Sequence, residues 1–350
     1  MRVLIIKTSS LGDIIHALPV LDYLHRAHPG IEIDWVVEEA FKDLLEDNPL
    51  LRKLHIIRTR TWRKKPFSTQ TRSEIGTLRR ELSGAGYDYV FDIQGNLKSG
   101  LIGLASGTRR RIGFPRPLLQ ESVNALFTTQ KALCPAENNH ALLRLLSIVS
   151  FPFDLPYRDM ELTSDIAVSQ DDSAAIAALL AQFKPGRKFL FHCGTTWQTK
   201  FWTNEGWGAL GAKVCSVFPD VTILLSWGNE AEKAMATEIA DHIGDAAFVI
   251  DRYPLKRLTA LLRQVDLVVG GDTGLVHLAA SVGTPTVSYY RSSDGSESGP
   301  RGSRHVIVQS PMPCTRCFRT SCPMDAECRR SITADMLADA AISLLHKTRS

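Results

Sequence analysis

The sequence predicts an α/β protein with two consecutive Rossmann-like halves, and three observations support this prediction. Short β-branched runs alternate with amphipathic helical stretches, a pattern typical of parallel strands joined by crossover helices. This series stops and restarts once, between residues 159 and 186. The 350 residues, 44% hydrophobic and 22% charged, fit a soluble globular protein of two domains or one large α/β domain.

Each element is predicted from its own pattern of apolar residues. The first half has strands at 3–6, 31–37, 54–57 and 87–93. Apolar residues at helical spacing predict helices at 11–28 and 73–85 in this half. The second half has strands at 188–192, 221–226, 246–250, 267–270 and 284–289, and helices at 204–218, 230–243, 255–264 and 274–282. A last helix is predicted at 334–345, after a cysteine-rich segment.

Composition and the amino terminus narrow the class of protein. Only four consecutive apolar residues precede Lys7, fewer than a signal peptide or a membrane span needs, so a cytoplasmic location is expected. Seven cysteines without an export signal are expected as reduced thiols or metal ligands rather than disulfides. The formal net charge of +4 is weak evidence for nucleic-acid binding, and no nucleic-acid partner is expected.

Two similar open sheets predict a cleft at the carboxyl ends of the strands, where α/β proteins bind ligands. In the first half, the first strand runs through KTSSLGD (7–13) into a helix, and its small residues let a ligand approach the amides at a helix start. Asp13 is either a carboxylate in a first helical turn or a general base at the mouth of the cleft.

The segment VVGGDTGLVH (268–277) repeats this strand, turn and helix in the second half. Asp272, Thr273 and the amides of Gly274 and Leu275 would face an anion at the helix amino terminus. The alternative is that Asp272 or Thr273 only caps the helix. His277 is either part of this site or a core histidine.

Two further loops are predicted at the same edge. Thr195, Thr196 and Lys200 supply two hydroxyls and a cation suited to a phosphate leaving group, or form an ordinary polar loop. Glu232 follows the next strand. It either accepts hydrogen bonds from the vicinal hydroxyls of a ribose or only interacts with the helix dipole.

Cysteines cluster near the end of the chain, at Cys314, Cys317, Cys322 and Cys328. Their spacing matches neither a zinc ribbon nor a ferredoxin. The segment is therefore either a structural metal site or a reduced or partly oxidised loop.

Basic residues are concentrated in two segments of the first half. Residues 48–73 contain eight Lys or Arg and residues 93–120 contain five, with no acid in either. The rest of the chain has 28 basic and 37 acidic residues. In the predicted loop TRTWRKKPF (59–67), cations lie beside aromatics, and guanidinium groups match phosphates and carboxylates. The alternative is a solvated charge run.

Five segments, taken in order, resemble the lipopolysaccharide heptosyltransferases of glycosyltransferase family 9. They are KTSSLGDIIHALP (7–19), DWVVEE (34–39), WRK (62–64), FDIQGNLKS (91–99) and DTGLVH (272–277). The resemblance spans nearly the whole chain and implies a GT-B fold with two Rossmann-like domains facing a central cleft. It implies an acceptor-binding domain at 1–165, a nucleotide-sugar-binding domain at 166–330, and a helix at 331–350 that packs back on the first domain.

The resemblance also implies the reaction, which is inverting transfer of L-glycero-D-manno-heptose from ADP-heptose to the Kdo of Kdo2-lipid A in core-region biosynthesis. No cofactor is implied. Asp13 would be the base and Lys200 would lie beside the diphosphate. The implied donor-binding residues are Ser10, Gly12, Thr195, Thr196, Glu232, Asp272, Thr273, Gly274 and His277. The acceptor-binding residues would be Arg60, Arg63, Lys64 and Arg116. Since no Asp-x-Asp occurs, no metal is expected unless the four cysteines hold one.

The acceptor's acyl chains would stay in lipid, so peripheral contact with the cytoplasmic face of the inner membrane is expected, with the basic half of the chain docking the glycolipid. Two alternatives remain. The four-cysteine segment resembles family members that act after the first heptose, which favours a different acceptor. The second alternative is a non-catalytic protein that binds an anionic ligand. A nicotinamide dehydrogenase is disfavoured because the chain lacks a Gly-x-Gly-x-x-Gly motif after its first strand.

Overall fold

The computed structural model describes residues 1–137 and 139–347. Within it the chain forms two compact units, Met1–Ala167 and Val168–Ser350. The division falls inside the interval predicted for the boundary and two residues beyond the predicted limit at 165. Residues 348–350 of the predicted terminal segment lie outside the described residues.

The first unit contains a six-stranded parallel sheet. Its strands are β1 (Arg2–Ile6), β2 (Glu32–Glu38), β3 (Lys53–Ile57), β4 (Tyr89–Asp92), β5 (Arg111–Gly113) and β6 (Gln130–Lys131). The strand order is β3-β2-β1-β4-β5-β6, so the chain changes direction across the sheet between β1 and β4. In this doubly wound arrangement, the loops after β1 and β4 diverge and leave a crevice between them.

Six helices accompany this sheet. They are α1 (Leu11–Ala17), α2 (Pro19–Ala27), α3 (Thr59–Lys64), α4 (Thr69–Gly84), α5 (Leu97–Ala105) and α6 (Ala141–Val149). The single helix predicted at 11–28 is thus two helices, because Pro19 lacks the backbone N–H that a continuous helix would need and instead begins α2. The prediction of a loop at 59–67 is also wrong for residues 59–64, which form α3.

Helices α3, α4 and α5 form one layer on the first sheet. Their apolar side chains join a core cluster around Leu4, Ile6 and Val36: α3 contributes Trp62, α4 contributes Leu78 and Leu82, and α5 contributes Ile102 and Ala105. The burial of Trp62 explains why a polar, basic segment becomes helical. Its Nε1 also donates to Glu74 on α4 at 2.6 Å.

The second unit repeats the doubly wound sheet. Its strands are β7 (Lys188–His192), β8 (Thr222–Ser226), β9 (Ala247–Val249), β10 (Leu267–Gly271), β11 (Thr286–Tyr290) and β12 (His305–Gln309). The order β12-β11-β10-β7-β8-β9 is all parallel and changes direction between β7 and β10. Its helices are α7 (Gln170–Leu180), α8 (Asn204–Val217), α9 (Glu230–Ile243), α10 (Leu255–Leu262), α11 (Gly274–Ser281), α12 (Gly295–Ser298), α13 (Asp325–Arg330) and α14 (Ala334–Lys347).

The last helix contributes to the core of the second unit. The apolar face of α14, with Leu337, Ala341 and Leu344, joins the core of the second unit. It packs against α8, β11 and β12. The expected packing of this helix on the first domain stays a prediction. The α/β class with two Rossmann-like halves is confirmed. Each of the nine predicted strands has an observed counterpart to within a few residues, whereas β5, β6 and β12 were not predicted.

Candidate active site

The loop after β1 presents Asp13 in the first turn of α1, beside Gly12. Ser10 donates to its Oδ2 from the backbone N at 3.0 Å and from Oγ at 2.7 Å. The buried ammonium of Lys7, at the end of the same strand, lies 3.6 Å from Oδ1. The side chain of Asp13 nevertheless remains 44% exposed, so the carboxylate is held from one side and open on the other.

These contacts set the ionisation of Asp13. Burial of the carboxyl group opposes its charged form, but the charge of Lys7 and the hydrogen bonds from Ser10 outweigh it and lower the pKa of Asp13. The group is therefore a carboxylate at neutral pH. Such a group can accept a proton from a hydroxyl placed on its open side.

Gln94, which the sequence analysis did not assign to the site, holds this loop in place. Its buried Oε1 accepts from the amides of Thr8 at 3.0 Å and Ser9 at 3.2 Å. The backbone N–H of Gln94 donates to Oδ1 of the buried Asp92 at 3.1 Å, and the backbone N–H of Gly95 donates to the same oxygen at 3.0 Å. Ile6 pairs with Asp92 in the sheet, so the loops after β1 and β4 leave side by side. Gln94 could have been predicted as a site residue, because it follows β4 and neighbouring parallel strands end at the same edge of a sheet.

The predicted acceptor-binding cations occupy two segments of the first unit. Arg60, Arg63 and Lys64 lie on α3, and all three are exposed. Arg116 is exposed in the short 3-10 turn that follows β5. Across the part of the chain that the structure describes, none of these four side chains forms an ion pair, so each is available to an anionic ligand.

In the second unit, the loops after β10 and β7 meet through an ion pair. The Nζ of Lys200 lies 2.6 Å from Oδ2 of Asp272 and 4.5 Å from the ring centre of Trp197. The Nε2 of His277 lies 3.3 Å from the other oxygen of Asp272. In the sheet, Gly270 pairs with His192, which brings these two strand ends together.

Asp272 is ionised. Burial would raise the pKa of Asp272, but the hydrogen bond from His277 and the charge of Lys200 outweigh it and hold that pKa well below its ordinary value. Asp272 therefore fixes the ammonium of Lys200 beside the amino terminus of α11. A cation and a helix amino terminus at one place favour a negatively charged ligand.

Thr273 occupies the N-cap position of α11 without capping it through its side chain. Its Oγ1 is buried and has no hydrogen-bond partner among residues 1–137 and 139–347. Gly274 is the first residue of α11, and the first N–H groups of a helix have no acceptor within the helix. Since buried hydroxyls are nearly always paired, this one fits a ligand oxygen bound at the helix start.

Glu232 lies between the loops after β7 and β8. Its Oε2 accepts from the amide of Gly228 at 2.7 Å, and Asn229 accepts from the amide of Glu232 at 3.0 Å. A Cβ at Gly194 would come within 2.4 Å of Oε2, so only glycine permits this placement. The carboxylate is thus fixed at the same sheet edge as Lys200.

The loop after β7 also contains the predicted hydroxyls. Thr195 is half-buried and Thr196 is exposed. The loop is fixed by the buried Thr199, which the sequence analysis missed, because its Oγ1 donates to the carbonyl of Arg319 and lies 3.1 Å from Oγ of Ser292. A threonine next to Lys200, in the loop after a strand, was the available signal.

The cysteine-rich segment does not form a metal centre in the structure. Cys314 and Cys317 are exposed, Cys322 and Cys328 are half-buried, and all four are free thiols. Among the described residues, no group of three or more His, Cys, Asp or Glu side chains could hold a metal ion. The segment is anchored instead by the fully buried Arg291, whose Nη2 donates to Oδ1 of Asp325 at 2.7 Å.

Comparison with known proteins gives one family. The model described as Glycosyltransferase family 9 (heptosyltransferase) matches residues 75–327. The lipopolysaccharide heptosyltransferase 1 of Pseudomonas aeruginosa is 33% identical over 323 residues, which cover 92% of this chain and 87% of that protein.

Solved structures agree with this result. The Escherichia coli heptosyltransferase WaaC with ADP superposes with a TM-score of 0.76 at 28% identity, covering 98% of this chain and 100% of that chain. With ADP-2-deoxy-2-fluoro heptose it superposes at 0.72 and 26% identity, covering 98% of each chain. The E. coli ADP-heptose lps heptosyltransferase II shares the fold, with a TM-score of 0.77 at 17% identity over the full length of both chains.

The matched region contains the ion pair of Lys200 with Asp272, Glu232 and the start of α11, and the P. aeruginosa relative covers nearly the whole chain. The fold and the family expected from the five sequence segments are therefore confirmed. This chain belongs to glycosyltransferase family 9, the heptosyltransferase family.

Proposed function

We propose that this protein is an inverting glycosyltransferase that moves a heptose from ADP-heptose to the Kdo of Kdo2-lipid A during lipopolysaccharide inner-core synthesis. The observation that carries the proposal is the fixed cation of Lys200 at the amino terminus of α11, built by Asp272 and His277. The relative WaaC, solved with ADP and with a fluorinated ADP-heptose, supports the choice of donor.

In this proposal the second unit binds the donor. Lys200, the hydroxyl of Thr273 and the first amides of α11 hold the diphosphate, because all three favour negative charge at one turn. Thr195 and Thr196 add hydroxyls from the neighbouring loop. Glu232 accepts from the ribose hydroxyls, since its carboxylate is fixed by Gly228 at the adjacent strand end.

The first unit supplies the base. The acceptor hydroxyl attacks the anomeric carbon from the face opposite ADP, forming the new glycosidic bond as the bond to the diphosphate oxygen breaks. Asp13 takes the hydroxyl proton, which its lowered pKa permits because the carboxylate is ionised. ADP leaves with the electron pair, and Lys200 stabilises the charge that develops on it. Ser10 and Gly12 shape the loop against the donor.

The choice of Kdo as the acceptor follows from the family resemblance, and it is supported by relatives at about 30% identity or more over most of the chain that are named heptosyltransferase 1. Arg60, Arg63, Lys64 and Arg116 would bind its phosphates and carboxylates, for which guanidinium forks are suited. A heptosyltransferase II activity, or another family 9 transfer to a different acceptor, is the second candidate, which the four-cysteine segment favours.

Within the described residues, no helix is long and apolar enough to cross a membrane. We propose a cytoplasmic enzyme that contacts the inner face of the inner membrane peripherally, because its acceptor keeps its acyl chains in lipid. The unpaired cations of α3 would then lie close to anionic headgroups, whose attraction weakens as salt screens it.

One experiment tests the whole proposal. The purified protein is incubated with ADP-heptose and either Kdo2-lipid A or the same acceptor already carrying one heptose, and products are read by mass spectrometry. A mass gain of one heptose on Kdo2-lipid A supports the proposal, whereas gain only on the heptosylated acceptor favours heptosyltransferase II. Stoichiometric zinc with no affinity for ADP would instead favour a non-catalytic anion-binding protein.

A further inference from the structure

The outer face of α5 exposes a stripe of leucines. Leu97, Leu101 and Leu104 are 41%, 50% and 51% exposed. Their spacing of four and three residues places them along one face of the helix, opposite the buried Ile102. An exposed apolar stripe of this kind on a helix is typical of a surface that contacts another apolar phase.

More apolar side chains are exposed on the same helical layer. Phe67, in the turn between α3 and α4, is 81% exposed, and Ile75 on α4 is 45% exposed. Both elements pack on the same core cluster as α5, through Trp62 and Leu82. A hydrogen bond and an ion pair connect the layer at one end, where Glu38 accepts from the backbone N–H of Thr59 in α3 at 3.1 Å and from Lys98 of α5 at 2.7 Å. The exposed leucines and Phe67 therefore belong to one continuous layer.

Cations surround these apolar side chains. Residues 58–84 contain eight Lys or Arg and only two acids, Glu74 and Glu81. Both acids are already paired, Glu74 with Arg58 at 3.1 Å and Glu81 with Lys53 at 3.1 Å.

The remaining cations of this layer carry their charge to solvent. Lys65, Arg72 and Arg79 are exposed, and none of them forms an ion pair in the described ranges 1–137 and 139–347. Arg72 and Arg79 share one exposed flank of α4 with Ile75, at a spacing of three and four residues. Positive charge without neighbouring acids thus adjoins exposed apolar surface.

We infer that the outer face of the α3–α5 layer, formed by Phe67, Ile75, Leu97, Leu101 and Leu104 with Lys65, Arg72 and Arg79, docks on an anionic lipid bilayer. The apolar side chains enter the boundary between headgroups and acyl chains, and the cations contact lipid phosphates. Charge complementarity selects this occupant, because a bilayer offers negative charge and apolar depth together, which match the exposed cations and the exposed apolar side chains of this face. The inference rests on the proposed function only in assigning the docked face to delivery of a lipid acceptor.

The test is flotation with vesicles of zwitterionic lipid containing one-third anionic phosphatidylglycerol. The double variant Leu101→Ser/Leu104→Ser and, separately, Arg72→Ser/Arg79→Ser should each lower the vesicle-bound partition coefficient at least about fivefold, the factor expected for a single lost basic contact. Matched controls are Val217→Ser on α8 and Arg301→Ser, both exposed in the second unit, which should float like the unchanged protein. Because the substituted side chains are exposed, the thermal unfolding midpoint should remain within a few degrees.

A second readout separates docking from chemistry. The leucine variant should transfer heptose to a deacylated, water-soluble acceptor at the unchanged rate, but at least about fivefold more slowly to acceptor embedded in vesicles. If neither the unchanged protein nor any variant transfers heptose to either acceptor, the proposed function is wrong. Flotation still tests docking in that case. Equal flotation of the leucine variant and the unchanged protein would overturn the inference. So would equal binding to purely zwitterionic vesicles, or a concentration-dependent dimer that the leucine variant abolishes.

Discussion

The ammonium of Lys200 lies 2.6 Å from the carboxylate of Asp272, and His277 contacts the opposite oxygen of the same carboxylate. The pair joins a loop after one strand to the turn before α11, so a single carboxylate orients both a cation and a histidine. Removal of the Asp272 carboxylate should therefore affect both the stability of the fold and donor binding.

Replacing Asp272 with Asn should lower the free energy of unfolding by about 3–5 kcal/mol at neutral pH, because it leaves Lys200 charged and largely buried without its partner. The pKa of Asp272 is lowered on folding, so its stabilisation is full above the unfolded value and is lost as pH falls through the lower folded value. Urea unfolding between pH 7 and pH 2 should show the difference between the two proteins shrinking only below about pH 4. A constant difference down to pH 2 would contradict the assignment.

Replacing Lys200 with Met should lower kcat as well as donor affinity, because the cation stabilises charge that develops only as ADP departs. Steady-state kinetics beside direct ADP titration separates the two effects. The double variant Lys200→Met/Asp272→Asn is the control, since it removes the uncompensated carboxylate. A loss confined to ADP affinity would exclude the transition-state role.

Replacing Asp13 with Asn should reduce kcat by ~10²–10⁴-fold, the usual contribution of a general base, while ADP affinity stays unchanged. Asn preserves the hydrogen bonds from Ser10, so the loop should keep its shape. The exposed Asp159→Asn is the matched control and should retain full activity. Activity of the Asp13 variant within a few-fold of the unchanged enzyme would rule out the base.

Replacing Lys7 with Met should move the acid limb of the kcat/KM profile to higher pH. The charge of Lys7 lowers the pKa of Asp13, so without it burial acts on the carboxyl group with less opposition and the group takes up a proton at higher pH. Lys42→Met, at a half-buried position in the first unit, is the control. An unshifted limb, with activity reduced equally at every pH, would assign Lys7 a purely structural role.

Replacing Gln94 with Leu should lower kcat and destabilise the protein by about 1–3 kcal/mol, because the amides of Thr8 and Ser9 lose their buried acceptor. Rescue by Gln94→Glu, which retains an acceptor oxygen, would show that positioning of the loop is the cause. Gln182→Leu, on the surface of the second unit, is the control. Unchanged kcat in Gln94→Leu would exclude the positioning role.

The strands and the two-fold repeat of the doubly wound sheet could be predicted because β-branched runs and helical spacing are local signals. Asp13, Lys200 and Asp272 could be placed at strand ends by the same logic. The helical state of 59–64 could not, since it depends on Trp62 reaching a core formed by distant strands. The contacts of Gln94 and Arg291 likewise depend on side-chain directions that spacing does not encode.

The position of the terminal helix changes how this chain can be shortened. α14 completes the core of the second unit, and Trp202 Nε1 donates to the carbonyl of Ile332 at 2.8 Å. Deletion from residue 332 onward would therefore expose Trp202, which lies two residues after Lys200. Trimming the carboxyl end would therefore weaken nucleotide recognition while sparing the half that carries Asp13. An excised fragment ending near residue 167 is the natural unit for studying acceptor binding in isolation.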